Sequence, residues 1–502
     1  MPNTTMRCSR RGHRIFVLTA LITGATVALM FAACSDSSGP EPDVIPPTIQ
    51  GVTATDVYQI WITFDEPVEK VSAEDLGNYT LFAIVTPDST DTLRTVSGEL
   101  LSGNRTVLLT TFPMKSTQSH TILIDGIFDE SQNRMASRSI TFNVELADCP
   151  TTPGFICTWA GTGKAAYDGG GQPLRDSHFY WVTDLRFTST GTYILDWNNH
   201  VIRRVTAQNT LETVIGTGFV GDGDEDLKDL EGPPGVPALD VNLNHPTDII
   251  EIPNSGGKLL LSAWHNHKLR EYDPSTGLMY VTCGRGAGFA GDGEPFEDAR
   301  LNQPTQTVFA SDGSYYVIDQ RNQRIRKISN GLMNTVVGTG IAGYNGENET
   351  PLSAQLNFPA GNNPPVAGAL AIDAQDRLYI SDTLNGRIRV VDFNANTVKT
   401  LAGNGNVGFS GDGGAASGAS MNNPRDIEFG PDGCLYIADE LNNRIRRVDM
   451  TTGIIETVVG IGTAGLSGDG GPAKLAELFR PAGIAFGNDG HLYIADTFNH
   501  RI

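Results

Sequence analysis

The chain has 502 residues, a formal net charge of −21 at pH 7, 57 glycines and 27 prolines. That length exceeds what one ordinary hydrophobic core serves and indicates two or three domains. The negative charge opposes the phosphate backbone of nucleic acids, so we expect no nucleic-acid partner. The many glycines and prolines, without a long helical period, favour an all-β protein.

The first 33 residues have the features of an export signal. Four arginines between residues 7 and 14 precede an apolar run at residues 15–31, and two alanines come directly before Cys34. A basic start, an apolar middle and small residues before a cleavage point are typical of secretory signals. An alternative is that the run stays in the membrane as a helix, because its length approaches that of a span.

The small residues before Cys34 resemble those of a bacterial lipoprotein signal. The resemblance implies cleavage before Cys34, lipid attachment to its thiol, and an exported protein held at the membrane by the lipid alone. By analogy with enterobacterial sorting, Ser35 as the next residue predicts the outer membrane. Residues 34–47 are polar and rich in proline, which predicts a flexible tether.

Residues 48–147 predict a small β-sandwich. Short alternating runs that favour strands lie at residues 59–64, 78–82, 105–111, 120–124 and 139–144. About a hundred residues with turns between short strands suit an immunoglobulin-like sandwich. The motif Phe64-Asp-Glu-Pro67, with Asn78-Tyr-Thr-Leu81 after it, resembles bacterial Ig-like domains of cell-surface proteins, which implies a spacer. The acidic loops at 65–66 and 129–130 either bind a cation or remain solvated.

A short linker at residues 148–156 follows the sandwich. Cys149 and Cys157 would form a disulfide bond there in an oxidising compartment, and two unpaired thiols are the alternative. Cys283 and Cys434 lie within strand signals, and we expect them in the core.

Six near-copies of one motif organise residues 157–502. Each is a run of alternating β-formers, a turn built on Asp-x-x-Asn, and a second run that opens with Arg-Ile-Arg or a variant of it, which predicts a hairpin. The copies begin at Tyr193, Leu259, Tyr315, Leu378, Leu435 and Leu492. A Pro-led run before each hairpin and an apolar run ending in glycine after it complete a four-strand unit.

These repeats resemble the NHL-repeat family of β-propellers over residues 157–502. The sixth copy stops at Ile502 without its outermost strand, and an open edge is a liability that propellers avoid by closing the ring. The segment Cys157-Thr-Trp-Ala-Gly161 has the pattern of the missing strand. We therefore expect a six-bladed β-propeller closed by strand 157–161. A truncated chain would also stop in mid-pattern, and that alternative stays open.

Residues present in nearly every copy are interpreted as structural. Asp and Asn side chains bond their own backbone in tight turns, and this role is assigned to Asp196, Asp319, Asp382, Asp439, Asp496, Asn199, Asn266, Asn322, Asn385, Asn442 and Asn499. The first arginine after the turn is expected to tie the hairpin to its neighbour: Arg324, Arg387, Arg444 and Arg501. Gly-Asp-Gly loops, as at 411–413, are interpreted as structural, with an anion nest or Ca²⁺ site as the alternative.

Candidate ligand contacts are residues that differ between copies on the face that carries the turns and the loops between units. At the turns these are Trp197, His200, Trp264, His265, His267, Arg321, Phe498 and His500. Before the first strand of each unit they are Trp181, His245, Gln303, Asn423 and Arg480. Asp184, Asp248 and Asp426 are expected to face the central channel. Aromatic rings with scattered polar groups suit a sugar or a peptide.

Five histidines on this face raise the alternative of a metal site. They are His200, His245, His265, His267 and His500. Three converging imidazoles with an open position would hold catalytic zinc, and a peptidyl-hydroxyglycine lyase that resembles this fold uses a metal in such a place. The other interpretation is that these are surface histidines that never meet.

The leading hypothesis is a lipid-anchored binding or scaffold protein of the bacterial cell envelope. Its propeller loop face would engage a protein or a glycan, with no cofactor and no catalytic residue, because no nucleophile–base pair or cofactor fingerprint is present in the sequence. The alternative is a metal-dependent lyase, lactonase or hydrolase at the mouth of the channel, with zinc or calcium. Fold alone does not decide between them.

Overall fold

The computed structural model describes residues 43–502, except for 55–58, 87–88, 94, 112–113, 115–118, 144–152, 222–232 and 362–364. The predicted signal peptide and Cys34 lie outside these residues. No helix within the described ranges is long and apolar enough to cross a membrane. Cys157 is disulfide-bonded, and its predicted partner, Cys149, falls in the segment 144–152.

The N-terminal domain is a sandwich of two four-stranded antiparallel sheets. Its elements are β1 (Ile49–Thr53), β2 (Gln59–Phe64), α1 (Lys70–Glu74), β3 (Tyr79–Thr86), β4 (Ser89–Leu93), β5 (Thr95–Leu100), β6 (Thr106–Thr111), β7 (Ser119–Ile124) and β8 (Arg138–Asn143). The strand orders are β1-β2-β6-β5 and β4-β3-β7-β8. Alternate residues of both sheets, such as Ile60, Leu81 and Leu109, point into one shared core, as the two-residue period of a strand requires.

The five predicted strands of this domain are present, and three strands were not predicted. The missed strands, β1, β4 and β5, all lie at sheet edges. An edge strand has one neighbour and is half exposed, so it needs few apolar residues and gives a weak sequence signal.

Residues 170–496 form six consecutive antiparallel units, numbered here in chain order. Units one to three are β9 (Gly170–Pro173), β10 (Val182–Thr188), β11 (Gly191–Asp196), β12 (Val201–Val205), β13 (Thr210–Ile215), β14 (Val236–Pro237), β15 (Pro246–Glu251), β16 (Leu259–Ala263), β17 (Lys268–Asp273), β18 (Leu278–Cys283), β19 (Glu294–Pro295), β20 (Pro304–Phe309), β21 (Tyr315–Asp319), β22 (Arg324–Ser329) and β23 (Leu332–Val337). Units four to six are β24 (Leu370–Ile372), β25 (Leu378–Asp382), β26 (Arg387–Asp392), β27 (Thr397–Ala402), β28 (Pro424–Phe429), β29 (Leu435–Asp439), β30 (Arg444–Val448), β31 (Ile455–Val459), β32 (Pro481–Phe486) and β33 (Leu492–Asp496).

The first three units have a fifth strand that the sequence did not predict. The short strands β9, β14 and β19 come from the loop before each unit and pair with its outermost strand. They cover part of an otherwise open edge.

Short 3₁₀ turns recur between these strands. They are Leu76–Asn78, Leu174–Asp176, Trp197–Asn199, Ala238–Asp240, Phe296–Asp298, Gln320–Asn322, Pro351–Ser353, Thr383–Asn385, Ala416–Gly418, Glu440–Asn442, Ala473–Leu475 and Thr497–Asn499. In five of the six units one such turn follows the Asp of the Asp-x-x-Asn motif, so these turns stand at one end of the hairpins.

The units pack side by side around a centre. Their first strands contact one another in the order β10, β15, β20, β24, β28 and β32, and β32 also packs against β10. A separate hydrophobic cluster lies between each pair of neighbouring units, including one that joins Ala485 of unit six to Leu185 of unit one. This is the arrangement of a β-propeller.

Residues 159–160 run beside the end of the sixth unit. The amide of Ile502 donates to the carbonyl of Ala160 (2.8 Å), and the amides of Trp159 and Ala160 donate to the carbonyl of Ile502 (2.7 and 3.1 Å). Ala160 and Ile502 share the cluster between units six and one. We call these contacts the seam.

The repeated polar residues are buried and satisfy one another. In unit five, Asp439 accepts from the Asn442 side chain (2.9 Å) and the Asn422 amide (2.8 Å). The buried Arg446 pairs with Asp439 (3.7 Å) and with Asp412 of the Gly-Asp-Gly loop (2.6 Å). The predicted turn-holding role of the Asp-x-x-Asn residues is thus seen directly, and the Asp of this loop serves an internal ion pair.

The first arginine after the turn lies over an aromatic ring of the preceding loop. Arg324, Arg387 and Arg444 stand 4.1, 3.9 and 3.7 Å from the ring centres of Phe289, Tyr344 and Phe409, respectively. Cation–π contacts of this kind join each hairpin to its neighbouring loop. Arg501 differs, because it pairs with Asp496 (3.1 Å) and Asp469 (3.4 Å) instead.

Candidate functional site

Three of the five candidate histidines act as latches between units. The Nδ1 atoms of His200, His267 and His500 accept the backbone N–H of the residue before the next first strand, at 3.3, 3.1 and 3.2 Å. Asn443 does the same in unit five, with the amide of Arg480 (2.9 Å). In unit three Gln323 accepts the amide of Phe358 (2.8 Å), which precedes a proline but lies twelve residues before β24. These three histidines therefore make a repeated structural contact, and their contact with a ligand stays a prediction.

The candidates that precede the first strands share one backbone conformation. Trp181, His245, Gln303, Asn423 and Arg480 have φ of 60, 60, 61, 60 and 53°. A left-handed residue other than glycine costs roughly 1–2 kcal/mol, and such strain is often found at functional sites. Because the left-handed conformation recurs in five units, it is a feature of the repeat. The units differ at this position only in the side chain.

An aromatic arc crosses units six, one and two on the face of the turns, which we call the mouth. Phe498 stacks on Trp181 (ring centres 5.0 Å apart), Trp181 neighbours Trp197 (6.0 Å), and Trp197 neighbours Trp264 (6.0 Å). The first three rings are partly exposed. The arc brings together side chains that the sequence predicted only singly.

Trp264 supports the arc from beneath. It is 1% exposed, its indole N–H donates to the Gln320 side chain (3.1 Å), and the His265 ring stacks on it at 3.8 Å. Trp264 is therefore buried, and the His265 ring that covers it is partly exposed. Gln303 is likewise buried, at 2% exposure.

His245 and His265 are the two candidate histidines outside the latch position. Their Nδ1 atoms lie 2.9 Å apart, and Nε2 of His245 lies 3.3 Å from the Asn198 side-chain oxygen. Burial lowers the pKa of His245 to about 3, and the neighbouring imidazoles act in the same direction. Burial first, and then the charges of His267, His200 and Arg321, lower the pKa of His265 to about 4. Both rings are therefore neutral near pH 7.

The histidines do not form a three-ligand set. Among the described residues, one group of three metal-ligating side chains lies close enough to hold an ion, and it consists of Asp43, Glu66 and Asp129 in the sandwich. That group includes residues of the acidic loops seen in the sequence.

The neutral histidines should make stability depend on pH. The folded-state pKa values lie below the unfolded value of 6.5, so acid protonates the unfolded chain first. Stability is present above about pH 6.5 and is lost as the pH falls towards about 4. Between about pH 7.5 and 5 we expect a loss of about 1–2 kcal/mol in the free energy of unfolding, discounted for the partial exposure of the rings.

The measurement is urea unfolding at both pH values for the wild type and His245→Gln. Glutamine occupies the same position in unit three, at Gln303, with the same φ, so the variant keeps the backbone and removes one titrating group. We expect a smaller pH dependence in the variant. If the stability of both proteins changed equally with pH, His245 would not be a source of the pH dependence.

A charged cluster lies beside the arc. Glu440 is 2% exposed. Its carboxylate accepts hydrogen bonds from Arg480 Nε (3.0 Å) and from the Asn423 side chain, and it lies 2.8 Å from Arg480 Nη2. Arg480 also stands 4.5 Å over the Phe498 ring. Arg425 approaches the same carboxylate at 3.9 Å. Two guanidinium groups thus share one buried carboxylate at the mouth.

The central channel is polar and is braced by one arginine. Arg186 pairs with Asp184 (3.3 Å), Asp248 (3.6 Å) and Glu428 (3.1 Å), and its Nη1 also donates to the Ile484 carbonyl (3.3 Å). Asp426, the third predicted channel residue, accepts from the Gln306 side chain (3.0 Å) and the Ile484 amide (2.8 Å). All three aspartates are buried.

Sequence reasoning missed Arg186, Arg425 and Glu440. Each departs from the repeat: Arg425 stands where units one, two and three have Thr183, Thr247 and Thr305. Arg186 and Arg425 lie within first strands and Glu440 lies in a turn, whereas the ligand candidates were chosen from the turns and from the residues before the first strands. Extending that choice two residues into each first strand would have found Arg425.

One family of repeats matches the last unit of the chain. Residues 480–502 match the NHL repeat. The NHL match covers the segment that holds Arg480, Phe498 and His500. It therefore includes one end of the aromatic arc and one latch.

Curated relatives match about half of the chain. The Arabidopsis thaliana protein SUPPRESSOR OF QUENCHING 1, chloroplastic, is 28% identical over 49% of this chain and 23% of its own length. Human NHL repeat-containing protein 2 is 25% identical over 53% of this chain and 38% of its own length. The chain thus spans well under half the length of these relatives. A solved structure of a protein of unknown function from Bacteroides thetaiotaomicron aligns over 93% of this chain and 98% of its own, with 15% identity and a TM-score of 0.49.

Proposed function

We propose that this is an exported, lipid-anchored envelope protein that binds a glycan at the mouth of its propeller. In this proposal a lipid on Cys34 is the one membrane contact of the protein, and an Ig-like sandwich carries a closed six-bladed NHL propeller. The observation that carries the binding role is the aromatic arc. Its partly exposed rings, Phe498, Trp181 and Trp197, come from adjacent units and form one continuous apolar strip among polar groups.

Closure of the ring is supported by Gly161. A Cβ atom at Gly161 would lie 2.6 Å from the His500 carbonyl, and one at Gly338 in unit three would lie 2.5 Å from the Gln323 carbonyl. His500 and Gln323 are both latch residues. Gly161 therefore occupies, against unit six, the place that the glycine after the fourth strand occupies within a complete unit.

The mouth suits a glycan better than a reaction centre. Flat apolar rings flanked by hydrogen-bonding groups offer one face for packing and an edge for polar recognition. A metal-dependent lyase, lactonase or hydrolase needs converging ligands. In three of the five histidines, Nδ1 already accepts a backbone N–H from the neighbouring unit. Binding of a glycan requires neither a metal nor a general base.

Replacing the exposed rings should weaken glycan binding about tenfold or more. Trp181→Asn and Trp197→Thr introduce residues that other units carry at these positions, Asn423 for the first and Thr383 for the second, so the backbone is matched. Affinity of the purified protein is measured by calorimetry against envelope polysaccharide fragments. Melting temperatures check that both variants fold.

His491→Gln is the control for this test. His491 is exposed and lies at the start of β33, at the opposite end of that strand from Phe498. Its replacement should leave affinity unchanged. Wild-type affinity in both tryptophan variants would rule out the arc as the binding surface.

A further inference from the structure

We propose that the glycan is acidic and that Arg425 holds its carboxylate at the mouth of the channel. This inference rests on the proposed glycan-binding function and adds the chemical class of the ligand. It begins from a guanidinium group that the fold leaves without enough partners.

Arg425 is nearly buried and poorly satisfied. Its side chain is 14% exposed, and its ion pair with Glu440 is long, at 3.9 Å. Within the described part of the chain, this ion pair is its one polar contact, and no hydrogen bond is formed by its guanidinium group. A guanidinium group carries five N–H donors in a planar fork. Burying such a group without hydrogen bonds is unfavourable until a partner supplies them.

Glu440 does not neutralise Arg425. That carboxylate already accepts from Arg480 and Asn423, so two positive groups share one negative group. Burial lowers the pKa of Arg425, Glu440 raises it, and the nearby Arg480 lowers it further. Asp426 and Asp184 also raise the pKa of Arg425, but neither accepts a hydrogen bond from its guanidinium group within the described residues.

The channel carboxylates have other partners. Asp184 and Asp248 pair with Arg186, and Asp426 accepts from Gln306 and from backbone amides. The cavity beside Arg425, lined by Asp184, Asp426 and threonines, has a volume of about 20 Å³. That space is enough for about one water. A ligand carboxylate therefore stops at the mouth, where a bidentate pair with Arg425 is the geometry that the guanidinium fork favours.

The charge and the aromatic arc are adjacent. Arg480 contacts Glu440, which Arg425 approaches, and it also lies over Phe498, which stacks on Trp181. If the carboxylate of a sugar binds Arg425, the next sugar rings of that ligand lie beside the aromatic faces of Phe498 and Trp181. A uronic-acid oligosaccharide presents carboxylates and flat pyranose faces along one chain, which matches this order of charge and aromatic rings.

The test compares uronic-acid trisaccharides with their carboxyl-reduced, neutral counterparts. Wild-type protein should bind an acidic trisaccharide about tenfold or more tightly than its neutral partner. Arg425→Thr, which introduces the residue of units one to three, should lose this preference and keep the affinity for the neutral sugar. Trp181→Asn should weaken both. Melting temperatures confirm folding.

The outcomes separate this inference from the function on which it rests. Equal affinity for acidic and neutral sugars in the wild type would overturn the role of Arg425 and leave glycan binding standing. Binding of neither set would overturn both. An acidic tripeptide that binds through Arg425 while the acidic sugars do not would overturn the glycan assignment in favour of a peptide.

Discussion

Replacing Arg186 by methionine is expected to lower the free energy of unfolding by about 3–5 kcal/mol, the cost of removing one partner from a buried ion pair. Arg186 is the cation that Asp184, Asp248 and Glu428 share in the channel. Methionine fills much of the same volume and supplies no charge. The variant therefore leaves carboxylates buried without their counter-ion.

The pH dependence of the Arg186→Met variant follows from the same charges. Burial already raises the pKa of Glu428 to about 7, against the lowering effect of Arg186, and burial raises that of Asp184 well above its usual value. Without Arg186 the folded state gains protons that the unfolded chain does not bind. The variant should therefore be less unstable at low pH than at high pH.

Urea unfolding of the wild type and the variant measures this loss. Arg204→Met is the matched control, because the Arg204–Glu212 pair is partly exposed and such pairs contribute about 0–1 kcal/mol. Adding Asp184→Asn to Arg186→Met should restore part of the stability. Similar small losses in Arg186→Met and Arg204→Met would show that the channel carboxylates are not held by Arg186.

Replacing Gly161 by valine is expected to open the seam. Gly161 has φ of 99°, and its added Cβ would lie 2.6 Å from the His500 carbonyl and 2.9 Å from Arg501 Cα. The left-handed conformation and the clash together should cost about 3 kcal/mol or more. The clash falls on the segment that joins the start of the ring to its end.

Gly338→Val separates local strain from opening of the seam. Gly338 has the same φ of 99° and a similar clash with Gln323, but it lies inside unit three. Both variants should lose stability. In hydrogen–deuterium exchange, fast exchange at residues 159–161 and 500–502 should follow from Gly161→Val alone. Protection of these residues in Gly161→Val at the wild-type level would contradict the seam as a closing contact.

The hairpins were predictable because their signal is local. Leu435–Asp439 and Arg444–Val448 alternate around one polar turn, and that period needs no knowledge of the neighbours. The edge strand β5 has no such period, since none of its residues is buried and it pairs with one strand only. The latch was also hidden, because His200, Gln323 and Asn443 share no sequence pattern and only their position gives them a common role.

The structure brings some of the predicted ligand candidates together and leaves others buried. Differences between copies found Trp181, Trp197 and Phe498, which lie together in the structure. The same criterion also selected His200 and His500, because a position that accepts several residue types looks like a variable functional position. Trp264 was misplaced for a different reason: burial under His265 depends on packing that the sequence of one unit does not contain.

The path of the chain into the propeller has a mechanical consequence. Residues 154–158 are bonded to the last inter-unit loop, through Ile156 to Gly471 (3.0 Å), Ala473 to Gly154 (2.7 Å) and Thr158 to Asp469 (3.0 Å). Cys157 is disulfide-bonded, and a bond to its predicted partner Cys149 would carry tension from the N-terminal domain past Gly154 and Ile156. Pulling on the sandwich therefore loads the Thr158–Asp469 bond before the bonds of Trp159 and Ala160 to Ile502.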